Sequence, residues 1–598
     1  MRTGTVSIRR LWLVCGAGMI AIGVSHAQVG RGGAQWPAPL GDAQRTSWVR
    51  SDDKISVQNL GAPGFKLQWS KKLDNQPRGA SGLGQGVTAA GVTLFVPMSI
   101  VTGSSNNVYA LDNDLGYVVW QRRFDATLPA PTAECPGGVT AGATRIVRLD
   151  ASAPPGFGGF GGRGSTGYRT LLGEPGQGVP IEGRGGGGRA NPPAAPPVPP
   201  PAGAQPPAGA QPGAQPGAQP PAGAGAPPAA GAGRQGAPPG AAAAPQGGRG
   251  AQAERIPGAP PQAGGGLGRP SGVVYVISSD GMLHVLGLQS GKDLQRPAPF
   301  VPANSRWSAP VAVDTSLYVA TSRGCGGAPS AIWAIDLDSE KKPVTSWKTN
   351  GGDVIGTVAL ASDGTLFASI GPGKATGDGK VNAIVALDPK TLQLKDWFSR
   401  SDAEFVTGPT IVRHGNKDVV AAATKDGRVL LLDASSLGGA SHDTPLYASK
   451  PLGAAISADA LAAWQQTASP TSWLLVPLGG QLAALKVADA SGSLALEPGW
   501  VSSDVAAPAT PLIVNGVVFV LENGAPAADG QGRAPVLHAY DGATGKRLWN
   551  SAKAITTPAS PGSLWTGTGQ IYVGLRDGTL HAFGFNDERS YTDVTGGR

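Results

Sequence analysis

The feature that most restricts the fold of this 598-residue chain is a self-similar unit returning about every 50 residues. Residues 537–549 (LHAYDGATGKRLW) lie on residues 283–295 (LHVLGLQSGKDLQ) without a gap, and five positions are identical. Shorter copies carry Asp112 with Trp120, Asp336 with Trp347, and Asp388 with Trp397. Others fall around Asp433, Lys486 and Gly584. With the Asp541 slot as marker, the positions are 112, 287, 336, 388, 433, 486, 541 and 584. Their spacings run from 43 to 55 residues once a 120-residue insert is discounted, so eight similar units are predicted.

Each marker follows a short β-rich run, such as Leu94-Phe95-Val96, Leu317-Tyr318-Val319 or Ile571-Tyr572-Val573. Between run and marker stand tight-turn pairs, among them Asp280-Gly281, Asp426-Gly427 and Asp577-Gly578. At the marker, an Asp ending a strand can accept backbone N–H groups of the following turn. A Gly four residues on, as at Gly545, supplies positive φ, and a Trp such as Trp549 returns on an outer strand to pack on a neighbouring unit. Four strands in about 50 residues, repeated radially, make a β-propeller blade. The fold expected is therefore all-β, an eight-bladed propeller of four-stranded antiparallel blades. No Trp-bearing strand follows Gly584, whereas residues 65–69 (FKLQW) have that strand's pattern without its predecessors. The N-terminal strand should complete the last blade and leave no open edge.

Composition separates what surrounds the repeat. Residues 151–270 hold 33 of the 92 Gly and 26 of the 54 Pro, and 192–230 carry no charge. Such a stretch buries too little apolar surface to offset its ordering entropy, so a disordered insert within blade 2 is expected. Its residues 156–161 satisfy G-x-G-x-x-G, but with no plausible strand before or helix after, nucleotide binding is not supported. The insert has eight Arg against three Glu, and the first 30 residues have three Arg. Together these account for the whole formal charge of +8. The repeats are neutral, which argues against a nucleic-acid groove.

Arg9-Arg10 before an apolar run from Leu11 to Val24, then Ser25-His26-Ala27, reads as an export signal cut after Ala27, by either the Sec or the twin-arginine route. The run is too short to span a bilayer, and no transmembrane segment is expected. The division expected is a signal peptide at 1–27 and a lead-in, closing strand and first blade running into the second at 28–150. The insert follows at 151–270, the rest of blades 2–8 at 271–585, and a tail at 586–598. Localisation is expected to be periplasmic or extracellular, and the propeller monomeric.

At these motifs the chain resembles the pyrroloquinoline-quinone (PQQ)-repeat family of eight-bladed propellers, whose repeat is A-x-D-x-x-T-G-x-x-x-W. Residues 539–549 match it fully, and 110–120 match except for Leu115 in the Thr place. The lead-in Trp36-Pro37, Gly41-Asp42, Arg45-Thr46-Ser47-Trp48 and Ile55 resembles the segment before blade 1 in exported members. The resemblance implies two kinds of activity. One is that of quinoprotein dehydrogenases, with PQQ, Ca²⁺, a catalytic Asp and adjacent cysteines; the other is that of cofactor-free propellers that hold other proteins in envelope assembly. Adjacent cysteines and C-x-x-C-H are lacking here, as are H-E-x-x-H and G-x-S-x-G.

Propeller topology places Cys135 in the loop from blade 1 to blade 2 and Cys325 in the B-to-C loop of blade 3, on adjacent blades and the same face. A disulfide is open to them, with two buried or free thiols the alternative. Glu134, Arg306, Trp307, Asp353 and Asp504 fall near the starts of inner strands on that face. They could line a central funnel for a small anion, sugar or quinone, or solvate the rim or pair with one another. His284, His538 and His581 share one repeat slot on different blades and are read as structural, so no metal site is assigned. Asp112, Trp120, Asp336, Asp388, Trp397, Asp433, Asp541, Gly545 and Trp549 are read as blade structure. The function expected is a binding or assembly scaffold for envelope proteins or a small ligand, with no cofactor and no nucleic acid. The alternative is a PQQ- and Ca²⁺-dependent dehydrogenase of alcohols or sugars.

Overall fold

A computed structural model describes residues 35–89, 96–139, 141–149, 272–466, 469–490, 492–523 and 534–586. The export signal, the insert and nearly all of the tail lie outside the described residues, as do Leu94 and Phe95. The described residues form eight sheets arranged as the blades of a propeller, antiparallel except for two short parallel pairs. Blade 1 consists of Val87–Ala89, Met98–Gly103, Asn107–Asp112 and Val118–Arg123, paired in that order. Blade 4 (Gly352–Leu360, Leu366–Gly373, Ala383–Leu387, Leu394–Ser399) repeats the pattern. So does blade 7 (Leu512–Val514, Val517–Glu522, Val536–Asp541, Arg547–Asn550).

Burial follows from radial packing. The second and third strands of blade 1 are buried at every residue because blades cover both faces, while Val118–Arg123 alternates half-buried with exposed on the rim. The marker turns form as the side-chain chemistry requires. Asp541 Oδ1 accepts the Ala543 and Thr544 N–H groups at 2.9 and 3.1 Å. Asp112, Asp336 and Asp388 accept the equivalent pairs, and Asp433 accepts the Ser435 N–H.

In blades 1 and 6 the Trp of the outer strand closes on the turn of the next blade. Trp120 Nε1 donates to Leu288 O at 2.6 Å and Trp500 Nε1 to Gly542 O at 2.8 Å. Their rings lie against Gly291 and Gly545, where an added Cβ would come within 2.5 and 2.6 Å. Gly545 thus serves both its φ of 72° and the neighbouring indole.

Ring closure is as the repeat predicted. Lys66–Lys72 pairs antiparallel with Thr579–Gly584, completing blade 8 with Gln570–Leu575 and Ala559–Gly567. Trp69 on that strand donates to Asn113 O and covers Gly116, so this N-terminal strand seals blade 8 against blade 1.

Two departures concern blades 2 and 3. Blade 2 keeps only three laddered strands (Val273–Ile277, Met282–Gly287, Ala298–Pro299), its inner strand being reduced to a bridge from Thr144 to Tyr275. The chain then leaves that blade, and Ile146–Val147 runs parallel to Val311–Val313 inside blade 3.

The lead-in, which carries no repeat, has an unexpected place. Its carbonyls accept the Thr88, Arg145, Leu360, Ile411, Ala463 and Ile513 N–H groups from residues Trp36, Pro37, Ala43, Gln44, Thr46 and Ser47, all at 2.7–2.9 Å. Those donors belong to innermost segments of blades 1, 2, 4, 5, 6 and 7. Arg45 reaches Ala309 O beside blade 3, and Asp52 Oδ2 accepts the Gly569 N–H of blade 8. Residues 36–52 therefore run round the axis and touch every blade. Leu40, Arg45 and Ser47 adopt positive φ, which the ring of hydrogen bonds over-determines.

Candidate functional site

The loops expected to meet on one face do so. Cys135 and Cys325 are joined by a disulfide with Cα atoms 5.6 Å apart, tying the loop before blade 2 to the B-to-C loop of blade 3. Polar ties surround it. Arg306 Nη1 donates to Glu134 O at 3.1 Å, and Arg78 Nε to Pro136 O at 2.7 Å. The Arg323 N–H donates to Asp353 Oδ1 at 3.1 Å, its guanidinium lies 3.8 Å from Asp353 and 3.9 Å from Glu134, and Ser330 donates to the same carboxylate. Glu134, Arg306 and Asp353 thus belong to one strapped cluster, to which the structure adds Arg323 and Ser330. Trp307 is 8% exposed and is held by pairing of Arg306–Trp307 with Ser316–Ser322.

Nearer the axis, Asp459 follows from backbone crowding. Its carbonyl accepts the Gly408 N–H at 2.9 Å, and Gly356 is so close that a Cβ would lie 2.7 Å from that nitrogen. Asp459 presents surface to water, yet burial pushes its carboxyl above the ordinary range, opposed by the Arg306 charge. Below it, Arg45 is fully buried and donates to Val358 O, Pro39 O, Ala309 O and Thr357 Oγ1. Burial pulls its guanidinium down to about 9, opposed by Asp42, so it stays charged at neutral pH.

Asp504 is in a different place. Its carboxylate accepts the Tyr540 hydroxyl at 2.8 Å, Arg547 Nη1 at 2.7 Å and the Ser502 hydroxyl. Burial alone would raise its pKa, but the Ser502 and Tyr540 hydrogen bonds and the Arg547 charge outweigh it, and the carboxyl sits below the usual range. This cluster lines a cavity of about 400 Å³ between blades 6 and 7, with Ser503, Val536, His538 and Asn550.

The three histidines of one slot differ in their partners. His284 is bonded at both nitrogens, to Ser278 Oγ at 2.9 Å and Asp293 Oδ1 at 3.0 Å. His538 Nε2 meets the buried Glu522 at 3.3 Å, while Nδ1 of His538 and of His581 is buried without a partner. Burial lowers the pKa of all three. Among the described residues no group of three or more His, Cys, Asp or Glu is arranged to hold a metal ion, and no helix is long and apolar enough to cross a membrane. Sequence reasoning missed Arg45, Asp459, Tyr540 and Arg547. The first two lack a repeat signal, and the last two sit in repeat slots read as blade structure.

No protein-family profile and no curated protein matches the chain. Among solved structures it is similar to the quinohemoprotein alcohol dehydrogenase from Comamonas testosteroni, at 15% identity over 94% of this chain and 82% of that one, with a TM-score of 0.50. Quinohemoprotein alcohol dehydrogenase ADHIIG from Pseudomonas putida HK5 aligns at 11% identity over 93% and 81%, with a TM-score of 0.49. BamB from Moraxella catarrhalis aligns at 15% over 54% and 82%, with a TM-score of 0.33. At these identities the likeness is one of architecture, and the chain is an eight-bladed β-propeller that shares its fold with the Comamonas testosteroni dehydrogenase.

Proposed function

We propose that this chain is an exported propeller that works as a binding or assembly scaffold for envelope proteins or ligands, through the face that carries the disulfide. The strap across that face carries the reading. A disulfide between residues 190 apart, flanked by the Arg306–Glu134 and Arg323–Asp353 ties, holds loops of two blades as a preorganised surface. Rigid loops lower the ordering cost of binding a partner. A long-range disulfide also suits an oxidising compartment outside the cytosol.

The alternative is oxidation of an alcohol or sugar with PQQ and Ca²⁺. Asp459 favours it, as a solvent-facing carboxyl of raised pKa within reach of the Arg306 charge. The donor set opposes it. Ca²⁺ takes about six to eight oxygen ligands, but Asp353 is engaged by Arg323 and Ser330, and Asp504 by Arg547, Tyr540 and Ser502 in another cluster. These carboxylates do not converge on a cage.

The test is site-specific photo-crosslinking in intact cells, from Arg323 on the strapped face and from Val344 on the rim. Discrete adducts from Arg323 that the Val344 position does not give support the scaffold. Quinone absorbance and alcohol-dependent dye reduction after adding PQQ and Ca²⁺, with no discrete adduct, would establish the dehydrogenase instead.

A further inference from the structure

We propose that the cavity between blades 6 and 7 is a binding site for a neutral saccharide, recognised through a vicinal diol. It lies off the propeller axis, and the proposal does not depend on the scaffold reading. The Asp504–Arg547 pair forms its polar wall. Only Nη1 of Arg547 is spent on Asp504, at 2.7 Å, so among the described residues Nε and Nη2 have no hydrogen-bond partner. Asn550 accepts the Ala552 N–H at 3.0 Å through Oδ1, and among the described residues its amide donors and the Ser503 hydroxyl, which also lines the cavity, make no hydrogen bond. A guanidinium beside a carboxylate offers donors and acceptors a few ångströms apart. Adjacent sugar hydroxyls, each of which donates and accepts, are the complement of that arrangement.

A second observation comes from His538, which lines the same cavity and is 4% exposed. Its Nε2 meets Glu522 Oε2 at 3.3 Å, so the neutral ring that donates to this carboxylate carries its proton on Nε2. Nδ1 is buried with no donor among the described residues. His284, in the equivalent slot of blade 2, has both nitrogens satisfied by its own blade, whereas His581 in blade 8 shares the unpartnered Nδ1.

Charge and size narrow the ligand class. Arg547 is neutralised by Asp504, so the cavity does not present the surplus positive charge that a carboxylate or phosphate would select. About 400 Å³ accommodates one or two pyranose rings, and Val536, Ala506 and Ala552 give apolar wall for the C–H face of a ring. Asp504 and Arg547 are each more than 40% exposed, so their replacement should leave the fold intact.

The experiment is saturation-transfer NMR and calorimetric titration of the mature chain with methyl glucoside, methyl mannoside and methyl galactoside. Glucuronate and inorganic phosphate serve as anionic probes. At least one neutral glycoside should bind, Arg547→Ala and Asp504→Asn should each weaken it by about tenfold or more, and Ala506→Trp should abolish it by filling the cavity. All three variants should melt like the parent. The proposal is overturned if no neutral glycoside binds, if only glucuronate or phosphate binds, or if binding survives both Arg547→Ala and Ala506→Trp.

Discussion

Replacing Arg45 by Met should lower the melting temperature of the propeller by about 2–5 °C at neutral pH. Arg45 is fully buried, and its guanidinium donates to Val358 O at 2.9 Å, Pro39 O at 2.5 Å, Thr357 Oγ1 at 2.9 Å and Ala309 O at 3.1 Å. Methionine fills much of the volume and donates nothing. Thr357 Oγ1 still donates to Ala309 O at 3.0 Å, so the loss falls on Pro39 O and Val358 O. Two buried carbonyls losing their donor cost about 1–3 kcal/mol each, and part of this is returned because a charge no longer has to be desolvated. The net is about 2–4 kcal/mol. An unfolding entropy of about 2 cal/mol/K per residue over roughly 400 residues gives about 0.8 kcal/mol per degree, from which the shift follows. Calorimetry of the mature chain reads it directly. Arg45→Lys keeps the charge but cannot reach four acceptors in different directions, and should fall between parent and Met variant. If Arg45→Met melts within about 1 °C of the parent, the axial segment does not hold the blades together.

Three further outcomes follow from the same structure. Cys135→Ser with Cys325→Ser should cost about 2–4 kcal/mol, and a reductant should lower the melting temperature of the parent but not of the double variant. Gly545→Ala should cost about 2–4 kcal/mol, because a φ of 72° is unfavourable for Ala and the new Cβ would meet the Trp500 ring at 2.6 Å. The cost should shrink in a Trp500→Ala background, as a double-mutant cycle would read. Burial lowers the pKa of His284, His538 and His581 in the folded state, so between the folded value and about 6.5 the unfolded chain binds more protons. Stability should therefore fall as pH drops below about 6.5, by up to about 1.4 kcal/mol per pH unit per histidine. Denaturant midpoints at pH 7 and pH 5 measure this, and His538→Phe should blunt the decline.

What could be read from the residues alone divides along the repeat. Asp541, Gly545 and the FKLQW strand announced turn, blade and closure because each repeats a local pattern whose physics is local: an Asp capping a turn, a Gly at positive φ, a Trp on an outer strand. The second reason for Gly545, the indole of Trp500 from the preceding blade, involves two units at once and no single unit displays it. The path of residues 36–52 was invisible for a related cause. Its contacts go to backbone N–H groups up to several hundred residues away, and backbone groups leave no mark in a sequence. Asp504 was grouped with Glu134, Arg306 and Asp353 because all occupy comparable loops. Comparable loops of different blades are spread round a ring, and the structure puts Asp504 with Arg547 instead of with the others.

The axial segment and the closing strand together set the order in which this protein can be completed. Residues 36–72 are among the first synthesised, yet their partners include Ile513, Gly569 and Thr579–Gly584, near the far end of the chain. Loop closure on that scale makes such contacts slow. The closing strand and the contacts of the axial segment with blades 7 and 8 must therefore wait until those blades emerge, and a chain stopped before blade 8 has neither a finished hub nor a sealed perimeter. Premature products should expose strand edges and be cleared or aggregate, so that closure acts as the step that distinguishes a finished molecule from a fragment.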